Sequence, residues 1–308
     1  MKIILFGLGS IGKRHGRLLQ EHFTHELYAF RHKKSQENPL GIKEVYSWGE
    51  VKKIKPDVAF ITNPASLHVQ TAIRCAALGM NIFMEKPLSN RLQGLGQLEK
   101  VCRRNKVKFY TAYCLRFHPV IKKIKELIEG KKIFHVRITC SSYLPHWRKG
   151  QNYRKNYSAV KKMGGGVFLD LSHEFDYVEY LFGSIKKICG AVGKASDLKV
   201  DVDDFADVLI TTEKGTRVNV HLDFLSRLFE RTIKIDFKDG YILADIIKSE
   251  VYYFLNERMH VYRYDTYKDK FFKEQLDYFF EHLNRPSMMN NLKDSKVFIK
   301  KLLGMTKI

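Results

Sequence analysis

The first hundred residues alternate between short apolar runs and amphipathic stretches of helical period. Lys2–Phe6, Glu26–Arg31, Asp57–Thr62, Asn81–Met84 and Lys108–Ala112 predict strands. Ile11–Gln20, Leu67–Leu78 and Gln93–Arg104 predict helices, the second ending at Gly79. Such alternation implies right-handed crossovers and a parallel sheet. Beyond Tyr113 the texture changes. A helix is expected over Pro119–Glu129, an alternating strand over Ile133–Tyr143, a loop from Pro145 to Met163, and one continuous helix over Val167–Phe182. Strand-like runs follow at Lys187–Val192, Phe205–Thr212, Arg217–Phe224, Thr232–Phe237, Tyr241–Ile247 and Val251–Leu255, and helical periodicity returns in Lys268–Leu283 and Leu292–Leu303. Successive strands with few helices between them predict an open antiparallel sheet. The expected fold is an α/β domain over 1–118 and an α+β domain over 119–308 with a large open, mostly antiparallel sheet.

Gly7-Leu8-Gly9-Ser10-Ile11-Gly12 lies between the first strand and the first helix, the context in which G-x-G-x-x-G binds a dinucleotide. One glycine makes the turn, one lets backbone approach a pyrophosphate, and one lets helix and strand pack closely. The helix N-terminus offers N–H groups and a positive dipole end to the anion. The 1–118 domain is thus read as a Rossmann domain binding NAD(P) through Gly7, Gly9, Ser10, Ile11 and Gly12. An acid about twenty positions on would bind the NAD ribose. The sequence there is Phe30-Arg31-His32-Lys33-Lys34. Arg31 can pair with a 2′-phosphate, which favours NADP; alternatively it covers the adenine face of NAD.

Asn81-Ile82-Phe83-Met84-Glu85-Lys86-Pro87 ends a strand with Lys86. Ligands of open parallel sheets sit at the carboxyl ends of the strands, so Lys86 is a candidate to hydrogen-bond the oxygen whose carbon exchanges hydride. Pro87 favours an extended Lys86 backbone. After Gly164-Gly165-Gly166, Asp170 and His173 are three apart and would share a face of one helix, with Tyr177 a turn further. The histidine suits proton transfer near neutral pH and the carboxylate could orient it.

These motifs, together with Thr62-Asn63-Pro64, His68, Arg116-Phe117-His118-Pro119 and Asp176, resemble the Gfo/Idh/MocA oxidoreductases over essentially the whole chain. The resemblance implies a Rossmann domain, a second domain with an open sheet, NAD(P), and sugar or polyol substrates oxidised or reduced at a hydroxyl or carbonyl carbon. It adds Asn63, Pro64, His68, Glu85 and Lys86 to the cofactor side. It implies Lys86 and His173 as catalytic, with Asp170 beside them; Asp170 departs from the family spacing by one residue and could instead cap the glycine turn. Tyr113, Arg116, Arg148, Tyr153, Tyr157 and Arg227 are expected to line the substrate pocket. The loop around Leu144–Tyr157 resembles members linked with sialic-acid-like or nucleotide-sugar metabolism.

Composition narrows the alternatives. The chain has 308 residues, 44% hydrophobic and 28% charged, enough for two globular domains. No apolar run reaches the roughly 20 residues of a membrane span. Met1–Phe6 reads as a buried strand, not a leader, so the cytoplasm is expected. Five scattered cysteines show no C-x-x-C spacing, so neither disulfides nor a metal site are expected. The formal charge of +21 is spread over lysine pairs, without a helix-turn-helix, RNP-like motif or zinc finger to suggest a nucleic-acid partner. The uncovered sheet face is expected to make a homodimer or homotetramer. The rival reading is a catalytically silent dinucleotide sensor.

Overall fold

The computed structural model describes residues 1–32, 38–148, 150–265 and 269–308; Lys33, Lys34 and the expected helix start at Lys268 lie outside them. The chain forms two compact units, Met1–Ala112 with Phe272–Ile299, and Tyr113–Phe271 with Lys300–Ile308. The expected division gave all of 119–308 to the second domain. Residues 272–299 instead fold with the first unit, because Phe272, Leu276 and Phe279 complete its apolar core.

The first unit runs β1 (Lys2–Phe6), α1 (Ser10–His22), β2 (Glu26–Phe30), β3 (Lys43–Val45), α2 (Trp48–Ile54), β4 (Val58–Ile61), α3 (Ala65–Ala77), β5 (Asn81–Glu85), α4 (Leu95–Arg104) and β6 (Phe109–Ala112). Its six strands are all parallel, in the order β3-β2-β1-β4-β5-β6. β1, β4 and β5 are buried on both faces, so they read as continuous apolar runs. β3 and α2 escape the sequence pattern because they are short. Ser47 caps α2: its Oγ accepts from the Glu50 amide (3.2 Å) and donates to Glu50 Oε1 (2.9 Å).

The second unit contains α5 (Pro119–Leu127), β7 (Ile133–Ser141), α6 (Val167–Asp170), α7 (His173–Phe182), β8 (Ile185–Gly193), β9 (Phe205–Thr212), β10 (Arg217–Asp223), β11 (Glu230–Phe237), β12 (Gly240–Asp245), β13 (Glu250–Leu255) and β14 (Arg258–Arg263). α8 (Lys270–His282), α9 (Leu292–Leu303) and β15 (Thr306–Lys307) follow. The nine-stranded sheet has the order β14-β13-β12-β11-β7-β10-β9-β8-β15. Only β7·β10 and β8·β15 pair in parallel, so the open, mostly antiparallel sheet is present. Val136, Ile138, Val218, Val220, Ile233 and Ile235 are buried on its inner face.

The single helix expected over Val167–Phe182 is two. Leu171 and Ser172 separate α6 from α7. Asp203 fixes the first turn of α6 by accepting from the Phe168 amide (2.8 Å), and Ser158 donates to the Asp170 carboxylate. This short helix is thereby tied to the preceding loop, and the helical hydrogen bonding restarts beyond it.

Candidate functional site

The cradle in the first unit follows from close approach. A Cβ on Gly12 would stand 2.0 Å from the Gly7 carbonyl oxygen and 2.9 Å from Thr62 Oγ1, so only glycine lets α1 lie this near the turn. Buried Thr62 donates to that same carbonyl (2.6 Å). A Cβ on Gly9 would meet nothing within 4 Å. The backbone at the start of the 13-residue helix α1 is therefore open where a pyrophosphate would be received. A dinucleotide fits this arrangement.

Lys86 follows the last residue of β5, at the same carboxyl edge. Its backbone is held from both sides. The Lys86 amide donates to Glu85 Oε2 (3.2 Å), and Glu85 Oε1 lies 2.6 Å from His15 Nε2. His15 is fully buried against Phe60, Phe83 and Phe272. The Lys86–Pro87 peptide is cis. His68, also buried, sets Nδ1 2.8 Å from the Pro87 carbonyl and Nε2 2.8 Å from the Asn63 carbonyl. Burial lowers its pKa against the pull of those carbonyls. A neutral His68 donates to one of these carbonyls, and through it links the strand-end loops. Asn63 Nδ2 donates to Thr71 Oγ1 (2.9 Å), and Pro64 caps α3.

Arg31 was expected to face a phosphate. In the structure Arg31 Nη1 lies 3.3 Å from Glu44 Oε1 on β3, and Tyr46 donates to Glu44 Oε2 (2.5 Å). The positive charge at the end of β2 has an acidic neighbour.

In the second unit, Tyr113 and His173 meet edge to face, ring centroids 5.6 Å apart at 86°. Burial pushes the Tyr113 phenol pKa up. Arg116 makes two hydrogen bonds to Asp176, 2.9 and 2.8 Å, and lies over Tyr180. Burial raises the Asp176 pKa while Arg116 opposes that rise. Tyr113, Arg116, His173 and Asp176 therefore form one cluster. The same-face argument for Asp170 fails, since Asp170 ends α6 and His173 begins α7. Beneath His173, buried Glu174 accepts from Arg231 Nε at 2.6 Å.

The loop after β7 is partly spent on its own architecture. Tyr157 donates to the Gly164 carbonyl (2.9 Å), and Tyr153 Oη accepts from the Lys199 amide (3.2 Å). Arg227 stacks 4.4 Å over Tyr143, and Arg148 is half-buried. Tyr143, Tyr153, Arg154, Asp197, Lys199 and Leu225 surround a cavity of about 320 Å³. A larger depression, about 510 Å³, is lined by Met1, Lys2 and Asp57 at the amino ends of the strands; it holds none of the expected site residues. On β10, His221 lies 2.6 Å from Asp207 and 3.1 Å from Asp223.

The sequence reading missed His15, Glu44, Glu174 and Arg231, and named Thr62 only as part of the Thr62-Asn63-Pro64 motif. A histidine on the apolar stripe of α1 was a usable signal for His15. The others come together only through the fold.

A family model described as an NAD-binding Rossmann-fold oxidoreductase family matches residues 1–113, and the GFO/IDH/MocA C-terminal domain matches residues 121–243. The chain belongs to the Gfo/Idh/MocA oxidoreductases. Within this family it is 25% identical over 303 residues to a myo-inositol 2-dehydrogenase of Thermotoga maritima, covering 89% of this chain and 86% of that protein. It is also 25% identical over 217 residues to an uncharacterised oxidoreductase of Synechocystis sp., covering 68% and 57%. The chain spans little more than half the length of the first curated relatives it matches, 57% and 53%. An oxidoreductase of Agrobacterium radiobacter in complex with NAD+, L-tartaric acid and magnesium has the same fold, with a TM-score of 0.84 at 14% identity, covering 99% of this chain and 95% of that one. Among the described residues no helix is long and apolar enough to cross a membrane.

Proposed function

We propose that this chain is a nicotinamide-dinucleotide-dependent oxidoreductase acting at a hydroxyl or carbonyl carbon of a sugar, sugar alcohol or nucleotide sugar. The observation that carries the reading is the joint placement of the Gly9–Gly12 cradle and Lys86 at the carboxyl edge of one parallel sheet. The bound dinucleotide supplies or accepts the hydride. Lys86 Nζ donates a hydrogen bond to the reacting oxygen, stabilising the charge that develops there. Glu85 and the Pro87 carbonyl hold the Lys86 backbone through His15 and His68. Within the second unit, His173 is the group suited to proton exchange near neutral pH, and Tyr113 packs edge to face against its ring. Asp170 acts through Ser158, holding the glycine-rich loop. Arg116 positions α7 through Asp176. Arg148, Tyr153, Tyr157 and Arg227 belong to the substrate side, where the tyrosine-lined cavity with Arg154 and Lys199 suits a polyhydroxylated or anionic ligand. The match to a relative named myo-inositol 2-dehydrogenase supports a polyol substrate. The outer face of the second unit's sheet joins two copies of the chain.

The test is titration with NADH and NADPH, followed by nicotinamide absorbance against a panel of free and nucleotide-activated sugars and inositols. Turnover of any of them supports the reading. Dinucleotide binding with no turnover across the panel favours a silent sensor.

A further inference from the structure

We propose that Glu44 makes the chain select NAD(H) over NADP(H), by taking up the charge of the Arg31 guanidinium that would otherwise receive a 2′-phosphate. This rests on the dinucleotide reading of the glycine turn. In that geometry an acid at the end of the second strand accepts from the ribose hydroxyl, and a basic group there admits the phosphate. The sequence has the base and lacks the acid. The sheet supplies it. β3 runs parallel to β2 with Glu44 opposite Ala29, and the Arg31 amide donates to the Val45 carbonyl (2.9 Å). Ala29 and Arg31 share a face, so register brings the Glu44 carboxylate beside the guanidinium, at 3.3 Å. Tyr46 fixes the other carboxylate oxygen. The two side chains are 19% and 10% exposed, so water and salt screen them weakly.

A ribose 2′-hydroxyl is neutral and can donate to Glu44 while accepting from Arg31. A 2′-phosphate carries about −1.5 to −2 charge near neutral pH. It would gain Arg31 only by standing close to a carboxylate, and such like-charge juxtaposition is a means of discrimination.

The experiment measures dissociation constants of NADH and NADPH by fluorescence titration of the full chain. The unaltered chain is expected to favour NADH. Glu44→Gln should shift the NADPH:NADH affinity ratio towards NADPH by about tenfold or more. Arg31→Gln should shift it the other way, since the carboxylate then faces the phosphate alone; Glu44→Ser repeats the first measurement if Glu44→Gln does not fold. In an Arg31→Gln background, Glu44→Gln should restore much of the lost NADPH affinity. A ratio unchanged in Glu44→Gln overturns the role of Glu44, as does a preference for NADPH in the unaltered chain. Failure of the unaltered chain to bind either dinucleotide overturns the dinucleotide reading itself, a result separable from a change of ratio.

Discussion

Lys86 is the residue on which the proposed chemistry turns, and its surroundings say why it should be separable from binding. Its backbone is secured by Glu85, while the pyrophosphate cradle is made by glycines on another strand–helix junction. Lys86→Ala should therefore lower turnover by about 10²–10⁴-fold, the range of a lost acid–base or polarising group, with a much smaller change in NADH affinity. Steady-state rates and fluorescence titration on one preparation check this; equal loss in both would make Lys86 a binding residue. His15→Leu should act in the same direction but less, because it releases Glu85 without removing the ammonium. Lys86 and the glycines were legible in the sequence because each belongs to a short local motif. The partner of Arg31 was not, since Glu44 reaches it only through strand register, and the place of His68 between two carbonyls of separate loops is set by the fold.

At the scale of elements, the turn between β1 and α1 separates packing from ligand approach. Gly12→Ala forces a methyl group onto the Gly7 carbonyl and should destabilise the fold by about 1–3 kcal/mol. Gly9→Ala meets no neighbour, so it should leave the melting midpoint nearly unchanged and weaken NADH. Thermal melts and titrations of both variants test that contrast. Most of the longer strands and helices were readable from periodicity; β14, exposed along nearly its whole length, shows no apolar alternation and was not foreseen. β3, α2 and β15 were too short to show one, and the break between α6 and α7 depends on Asp203 and Ser158 from other segments. The sheet also holds a titratable junction. His221 is raised from 6.5 to about 9, chiefly by its hydrogen bond to Asp223 and also by Asp207, against the effect of burial. Asp223 is held at about 2 although burial opposes this, through His221, Ser141 and the amides of Ser226 and Leu225. A raised folded pKa means that His221 stabilises fully below pH 6.5 and loses its contribution as pH rises through 9. His221→Gln should lower the melting midpoint most at about pH 6, the gap to the unaltered chain closing by about pH 10. A gap constant over that range would deny the junction its charge.

For the whole molecule, the two-unit plan was foreseen from the change of pattern near Tyr113. The return of 272–299 to the first unit was not, since amphipathic periodicity shows that a helix has an apolar face but not what covers it. The same ambiguity applies to the outer face of the large sheet, and there the register allows an argument. One row across the strands reads Leu209, Asn219, Arg137, Lys234, Leu243, Tyr252. The neighbouring row reads Asp207, His221, Thr139, Thr232, Asp245, Glu250. Leu209 and Leu243 in the first row are 47% and 40% exposed and are the apolar contacts that the proposed pairing of two copies would use. Light scattering should give at least twice the chain mass. The +21 charge makes copies repel at a distance, so association should tighten as salt rises from low to physiological levels, where that repulsion is screened. Leu209→Glu with Leu243→Glu should give monomers whose circular dichroism is unchanged, because neither side chain enters a core. A monomer mass for the unaltered chain at every salt concentration would remove the paired-sheet assembly.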